Sequence, residues 1–397
     1  MRRVISSLIF LIVLFSVCQG KQAVVIVPVA DLLGNQSGEK AYQGLGLCAK
    51  PVEFCIRLHQ LLYNEIVTIE EEKGAEARVR ISSAFYELTP GGAPQTSYWT
   101  LRKNLLPMAE LVARAIPIDT IPEPLSFNPR KSSGNHQRIV ALLQPHYDPR
   151  TQTTYSVGTR FVRTEKNTQT NQIEVFAFNR HLNTPLTISL PINKCIESSN
   201  DRSWDERREI FLRLLHSWAH QNNGYIPYVW GGCSFTTHEN EPHFISMPAA
   251  KGATLFVPRT QKKMCSGFDC AGLIARAAQL AGIPYYYKNT ATIANHLKEI
   301  SHARDIQNGD LIWFPGHVIV ISDVSRNSII EARAYGQGYG KIHELPVSTV
   351  FKNIETVSQL LAHAREKKMI YRLQKDGSVA HSIATLKILQ LSSTLTN

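Results

Sequence analysis

Beyond its first twenty residues, the sequence contains no apolar run of the roughly 20 residues that a membrane-spanning helix needs. It also lacks a compact block of lysine or arginine, although its formal net charge is +11. These absences argue against an integral membrane protein and against a nucleic-acid-binding protein, whose basic residues are usually clustered. The dispersed positive charge instead favours attraction to anionic wall polymers or membrane surfaces. No feature demands an oligomer, so we expect a monomer.

The N-terminus has the three parts of a secretory signal peptide. Two arginines at 2–3 precede an apolar run at 8–17, and small residues follow up to Gly20. Because this run is too short for a mature membrane helix, it predicts a cleaved signal at 1–20 and export to the periplasm or the medium. The alternative, a lipoprotein acylated at Cys18, fits less well because the bulky Val17 precedes that cysteine.

Six cysteines follow the predicted cleavage site: Cys48, Cys55, Cys195, Cys233, Cys265 and Cys270. In an oxidising compartment, an even number of cysteines favours disulfide pairing. Spacing alone suggests one bridge between Cys48 and Cys55 and another between Cys233 and Cys265. If Cys270 is a free nucleophile, one of the other five must also stay single.

Composition and patterning predict two all-β units followed by an α+β domain. Residues 77–81 alternate apolar and polar side chains, as a half-buried strand does. At Ser203 the pattern changes to a capping box followed by helical spacing of apolar residues. We predict all-β units at 21–115 and 137–200, a proline-rich linker at 116–136, the α+β domain at 203–365 and a tail of unknown role at 366–397.

The first all-β unit resembles a bacterial SH3-like domain. Residues 61–80 follow the family pattern of a Leu-Leu turn, a glutamate, alternating valines and a Glu-Glu-Lys-Gly turn, without the usual tryptophan. The unit at 137–200 resembles the same domain more weakly, and a plain β-insert is the alternative. The resemblance implies two small SH3-like barrels before the α+β domain.

A candidate nucleophile, Cys270, stands directly before a predicted helix that ends at Gly282. A cysteine at a helix N-terminus faces unpaired N–H groups and the positive end of the helix dipole. Both favour the thiolate, which is the reactive form, and the same N–H groups can hold an oxyanion. The alternative is that Cys270 is half of a disulfide, since Cys265 is only five residues away.

A thiol nucleophile needs a base and an acceptor that orients the base. His317 begins a predicted β-strand after a Pro-Gly turn, and Glu331 is the acidic residue in the returning strand. Each also has a simpler interpretation, as a structural histidine and a surface charge, and Tyr228 and Trp230 are alternatively core aromatics. The order of the segments favours the catalytic interpretation.

These segments resemble the NlpC/P60 family of papain-like cysteine peptidases over about residues 205–350. The matching stretches are Pro227-Tyr-Val-Trp-Gly-Gly232, Phe268-Asp-Cys-Ala-Gly-Leu-Ile274, Gly282-Ile-Pro284, Asn308-Gly-Asp-Leu-Ile-Trp-Phe314, His317-Val-Ile319 and Ile330-Glu-Ala332. The resemblance implies an α+β papain-like domain that hydrolyses the bond between γ-D-glutamate and a diamino acid, meso-diaminopimelate or lysine, in peptidoglycan stem peptides. It implies Cys270 as nucleophile, His317 as base and Glu331 as the third catalytic residue, without a metal or organic cofactor.

The resemblance also implies substrate contacts. Tyr228 matches a tyrosine that shapes the substrate site, and Asp269 matches an aspartate that in some members contacts the free amine of the substrate. In members with SH3-like domains, a barrel closes one end of the cleft, and Tyr98 is the candidate for a barrel tyrosine on that amine. Departures from the family are Ala271 in place of serine and Glu331 in place of the commoner histidine.

The stretch from Cys233 to Cys265 is longer than in the family, which suggests a loop over the cleft. With His238 and His243 it mimics a metal site, but the spacing fits no standard zinc pattern. Two other functions remain open on sequence alone. The first alternative to the peptidase is a wall-binding module with impaired catalysis. The second is an amidase or acyltransferase on another substrate.

Overall fold

The structure is a computed structural model. It describes residues 20–43, 45, 56–87, 89, 91–126, 138–164, 171–178, 186–198, 201–220, 225–236, 244–248, 254–258 and 266–395. The predicted signal peptide before Gly20, the pair Cys48 and Cys55, and the histidines His238 and His243 lie outside these ranges. Within the described residues, no helix has the length and apolar character needed to cross a membrane.

The N-terminal part is one antiparallel sheet with two short helices. Its elements are β1 (Lys21–Val25), β2 (Val29–Leu33), α1 (Glu39–Gln43), β3 (Arg57–Leu62), β4 (Ile66–Lys73), β5 (Glu76–Arg80), β6 (Ser97–Leu101), β7 (Leu105–Pro107) and α2 (Met108–Ala113). The strand order is β3-β2-β6-β5-β4-β1-β7. In β5, Val79 is buried whereas Arg78 and Arg80 are exposed, which confirms the predicted alternation. The edge strands β3 and β7 do not pair with each other in the described part of the chain, so the closed SH3-like barrel stays a prediction.

The second all-β part consists of small antiparallel sheets. Its strands are β8 (Ile139–Leu142), β9 (His146–Asp148), β10 (Thr153–Tyr155), β11 (Arg160–Val162), β12 (Gln172–Ala177), β13 (Leu186–Pro191) and β14 (Cys195–Glu197). They pair as β9–β10, β11–β8–β14 and β12–β13. The Tyr63 hydroxyl, on the first unit, accepts the Phe178 N–H at 2.7 Å, and both rings share one core. Ile116 and Ile121 of the predicted linker are buried in that core, so the linker packs between the two all-β parts.

The C-terminal part is an α+β unit. Its elements are α3 (Trp204–Ala219), β15 (Cys233–Ser234), β16 (Phe244–Pro248), β17 (Thr254–Pro258), β18 (Gly267–Phe268), α4 (Cys270–Ala281), α5 (Thr290–His296), β19 (Lys298–Glu299), β20 (Leu311–Phe314), β21 (His317–Asp323), β22 (Ser328–Arg333), β23 (Lys341–Pro346), α6 (Val347–Val350), α7 (Val357–Arg365), β24 (Ile370–Leu373), β25 (Val379–Ile383) and β26 (Lys387–Gln390). Its main sheet has the order β19-β26-β20-β21-β22-β23 and is antiparallel.

Strand β21 separates two cores because its side chains alternate between the faces of the sheet. Val318 and Val320 pack with α3 and α4 on one face. Ile319 and Ile321 pack with α6 and α7 on the other. Covered on both sides, the main sheet is a rigid support for the N-terminus of α4 and for the first residue of β21.

The residues after 365 belong to this unit rather than to a separate tail. Strand β26 lies between β19 and β20 in the main sheet, and β24 pairs with β25. Ile388 and Leu389 of β26 are fully buried. The predicted boundary at residue 365 therefore does not coincide with a structural boundary. Nothing in the local pattern of a short strand indicates which distant strand it joins, which is why sequence reasoning missed it.

Candidate active site

The N-terminus of α4 is fixed by its cap. Asp269 is the N-cap residue, and its Oδ1 accepts the Gly272 N–H at 2.5 Å. A side chain at Gly272 would lie 2.0 Å from the Gly232 carbonyl oxygen, so only glycine permits this close approach of the two segments. The predicted end of the helix is also confirmed, because Gly282 adopts a left-handed conformation with φ of 79°.

Cys270 is the first residue of α4 and faces the start of β21. Its side chain is 9 % exposed, and the backbone N–H groups of Val318 and Ala271 favour its anion. Burial nevertheless raises the pKa of Cys270 to about 12, and the Asp269 carboxylate adds to this rise. The two N–H groups favour the thiolate, but the effect of burial on the pKa of Cys270 is larger. The resting group is a neutral thiol that needs a base.

His317 is presented by a tight β-turn. Strands β20 and β21 pair with Phe314 opposite His317, and Gly316 between them has φ of 85°, which suits glycine. The imidazole Nε2–H donates to Glu331 Oε2 at 2.6 Å. This bond leaves Nδ1 as the basic nitrogen. Val318, the next residue, contacts the Cys270 thiol through its backbone N–H, so the start of β21 lies beside the candidate nucleophile.

Glu331 is fully buried and joins four cationic or potentially cationic groups. Arg372 donates to both carboxylate oxygens, with the Oε1 bond at 2.6 Å, and His343 Nε2–H donates to Oε1 at 3.0 Å. Arg333 lies 3.9 Å from Oε1. Burial opposes ionisation, but Arg372 and the two histidine bonds outweigh it and hold the pKa of Glu331 well below its ordinary value. Glu331 is therefore a carboxylate.

The charge on Glu331 does not make His317 cationic at rest. Burial lowers the pKa of His317, the bond to Glu331 opposes this, and Arg372 adds to the lowering. The resting site thus combines a neutral imidazole with a neutral thiol. This arrangement can transfer a proton from the thiol to the imidazole during attack, with Glu331 stabilising the imidazolium that forms.

The chain was compared with known proteins. No protein-family model matches the sequence, and no curated protein matches it. Among solved structures, an NlpC/P60 family protein from Bacillus cereus is 15 % identical, covers 82 % of this chain and 94 % of its own, and has a TM-score of 0.52. The fold is that of an NlpC/P60 protein.

Two further solved structures have TM-scores too low to support a conclusion about the fold of this chain. NlpC2 from Trichomonas vaginalis is 13 % identical, covers 82 % of this chain and 93 % of its own, and has a TM-score of 0.31. RipB from Mycobacterium tuberculosis, a peptidoglycan hydrolase, is 19 % identical, covers 41 % of this chain and 71 % of its own, and has a TM-score of 0.23.

The substrate contacts expected from NlpC/P60 proteins are only partly assembled. Tyr228 is buried beside Cys270 and Asp269. Burial raises the pKa of its hydroxyl well above the ordinary value, and these two neighbours raise it further. Asp269, however, is already engaged, because its Oδ2 accepts the Gly231 N–H at 3.0 Å and lies 3.7 Å from the Lys288 ammonium. Asp269 therefore serves as a helix cap and an ion-pair partner.

Tyr98 lies elsewhere. Its side chain is completely buried in the core of the N-terminal sheet, and its hydroxyl donates to the Gln95 carbonyl at 3.0 Å. This position does not fit a substrate contact. The N-terminal unit reaches the site through other residues: the Lys288 backbone N–H donates to the Phe85 carbonyl at 2.8 Å, and the Arg57 guanidinium donates to the Trp230 carbonyl at 3.1 Å.

Sequence reasoning missed three residues of the site. Arg372 and His343 bond to Glu331, and Lys288 pairs with Asp269. A signal for His343 was available, since it stands on the strand after Glu331 and pairs directly opposite it. Arg372 carried no such signal because it lies 41 residues from Glu331 in the sequence.

Cys233 is not the disulfide partner predicted for it. It is a fully buried free thiol whose Sγ–H donates to the Gly272 carbonyl at 3.5 Å. The predicted bridge to Cys265 is therefore wrong, and Cys265 itself lies outside the described residues. Cys195 is also a free thiol.

Proposed function

We propose that the protein is an exported cysteine peptidase of the NlpC/P60 type that cleaves peptidoglycan stem peptides between γ-D-glutamate and the diamino acid. One observation carries this proposal: a neutral His317, bonded to a buried carboxylate, stands at the start of the strand whose next amide contacts the Cys270 thiol. Thiol-based acyl transfer requires a base within hydrogen-bond reach of the thiol, and we assign that role to His317. The fold shared with an NlpC/P60 protein and the matching motifs support the choice of substrate.

In the proposed reaction, His317 Nδ1 takes the thiol proton while Cys270 Sγ attacks the γ-carbonyl carbon of D-glutamate. The oxyanion of the tetrahedral intermediate is held by the Cys270 backbone N–H at the helix N-terminus. The C–N bond then breaks, and the imidazolium returns its proton to the leaving amine. Water activated by His317 hydrolyses the thioester and releases the γ-D-glutamyl acid. The steps use only the groups of the chain and water.

The role of Glu331 follows from the step at which His317 becomes charged. The imidazolium exists only during the reaction, because His317 is neutral at rest. A buried carboxylate 2.6 Å from Nε2 therefore stabilises the transition state more than the resting enzyme, which is the condition for catalysis. Arg372 is a positioning residue, because it fixes the carboxylate and does not reach the reacting atoms.

Asp269, the carboxylate expected to bind a free substrate amine, is already paired with Lys288. A free substrate ammonium would have to displace the buried Lys288 from Asp269, at the cost of leaving one ammonium without a partner. We therefore propose that the enzyme does not require a free N-terminal L-alanine and that it cleaves stem peptides whose N-terminus is blocked, as in the intact wall. The N-terminal units, proposed to be SH3-like, border this end of the site through Phe85 and Arg57.

Mass spectrometry of stem peptides tests the proposed function. The wild-type chain is expected to produce fragments cut after γ-D-glutamate, and Cys270→Ala is expected to produce none. Cys195→Ala is the matched control, because Cys195 is also a free thiol but lies on the second all-β part. Cleavage by Cys270→Ala, or cleavage at a different bond, would overturn the proposal.

A further inference from the structure

A second cluster of ligating side chains lies away from Cys270, where α3 meets β23. His216 and His220 are one helical turn apart at the end of α3, and His220 is the C-cap residue. Residues at this spacing lie on the same face of a helix. Glu344 on β23 completes the group, with its Oε2 at 3.0 Å from His216 Nδ1 and 2.6 Å from His220 Nε2.

The three ligand atoms converge on one point. They all lie within 4.8 Å of one another, and the two imidazole rings are close to parallel, at 17°. In a tetrahedral zinc site with bonds of about 2.1 Å, ligand atoms lie roughly 3.4 Å apart. An ion enters this group after shifts of less than about 1 Å, which the partly exposed histidine side chains allow.

The carboxylate is also oriented from behind. Its second oxygen, Oε1, accepts hydrogen bonds from the Ser322 hydroxyl at 2.6 Å and the Ser328 hydroxyl at 3.1 Å. Hydrogen bonds of this kind to a ligating carboxylate are a regular feature of metal sites, because they fix the free oxygen toward the ion. Two exposed histidines beside an exposed acid would lack this support.

We propose that His216, His220 and Glu344 bind a divalent transition-metal ion of the zinc type, with water completing the coordination. Two imidazoles and one carboxylate form a borderline-soft donor set that suits zinc, whereas calcium and magnesium prefer oxygen ligands alone. The ion links the C-terminus of α3 to strand β23. Because Glu344 follows His343, and successive residues of a strand face opposite sides, the ion holds the strand whose other face contacts Glu331.

Isothermal titration of the full chain with Zn²⁺ tests this site. The titration uses Cys270→Ala, so that the catalytic thiol cannot bind the metal. One equivalent is expected to bind, and to be lost in the variant that adds His216→Asn and His220→Asn. Removing a partner of a metal ligand already weakens binding 10- to 100-fold, so loss of two ligands should exceed about 100-fold. Mg²⁺ and Ca²⁺ are expected not to bind here.

His302→Asn is the matched control, because His302 is an exposed histidine outside the cluster. It should leave the Zn²⁺ stoichiometry unchanged. If the double variant is unstable without metal, His220→Asn alone carries the test, since its side chain is 62 % exposed. Absence of Zn²⁺ binding, or binding that both histidine variants retain, would refute the site and show an ordinary histidine–carboxylate cluster.

Discussion

Replacing Glu331 by glutamine separates the catalytic role of this residue from its structural role. Glutamine keeps the size of the side chain but removes the charge that stabilises the imidazolium of His317. Loss of the corresponding carboxylate in catalytic triads lowers kcat by about 10⁴-fold. We therefore expect kcat/KM of Glu331→Gln to fall by about 10³- to 10⁴-fold, equivalent to about 4–5.5 kcal/mol of transition-state stabilisation.

The same substitution also affects stability. It leaves Arg372 and Arg333 buried without their counter-charge. Removing one partner of a buried ion pair costs about 3–5 kcal/mol. At roughly 2–4 °C per kcal/mol for a unit of this size, the Tm should fall by roughly 6–20 °C. Activity must therefore be measured well below the new Tm, where circular dichroism shows a folded protein.

A double substitution distinguishes the two effects. Glu331→Gln with Arg372→Met removes both charges, and replacing a whole buried pair by neutral groups is often close to neutral for stability. Its Tm should recover part of the loss, while kcat/KM on a stem peptide, followed by chromatography of the fragments, should stay low. Glu355→Gln, an exposed glutamate on the same unit, is the control and should change neither. If the double variant regains near-wild-type activity, Glu331 has only a structural role and the reasoning is refuted.

Further predictions follow from individual groups. His343→Asn should reduce kcat/KM by less than about tenfold, because His343 bonds to Glu331 and not to the thiol; a loss as large as that of Glu331→Gln contradicts this. Burial raises the pKa of Cys270 to about 12, so its alkylation by iodoacetamide should accelerate with pH up to that range, and a plateau near pH 7 would contradict a neutral thiol. Lys288→Ala should improve kcat/KM for stem peptides with a free N-terminus relative to blocked ones, and an unchanged ratio counts against the proposed specificity. Burial lowers the pKa of His59 well below 6.5. The stability that the neutral, buried imidazole contributes is therefore present above pH 6.5 and is lost as the pH falls through the pKa of the folded state. The unfolding free energy of His59→Gln should depend less on pH in that window than that of the wild type.

The parts of the fold that sequence reasoning predicted are those fixed by local interactions. Helix α3 begins at the predicted capping box of Ser203 and Glu206, and α4 ends at the predicted Gly282. The strand that begins at His317 was predicted from a Pro-Gly turn followed by β-branched residues. In each case the atoms that decide the structure lie within a few residues of one another.

The parts that sequence reasoning missed depend on pairing between distant segments. Arg372 neutralises Glu331 from a strand that looked like an uninformative tail. Lys288 neutralises Asp269 from the loop after α4, and this pairing changes the expected specificity. Such contacts are set by tertiary packing, and a single sequence carries no signal of which buried charge meets which.

The central claim is that Cys270 performs nucleophilic attack on the γ-carbonyl of D-glutamate. A stem-peptide analogue with a chloromethyl ketone in place of that amide tests it most directly, because the Cys270 thiolate displaces chloride and forms a stable thioether, whatever the rate of thioester hydrolysis. Mass spectrometry should find one label, on the peptide that contains Cys270, and an excess of stem peptide should prevent it. Labelling of Cys195 or Cys233 instead would contradict the account. So would stem-peptide cleavage that continues after Cys270 has been labelled.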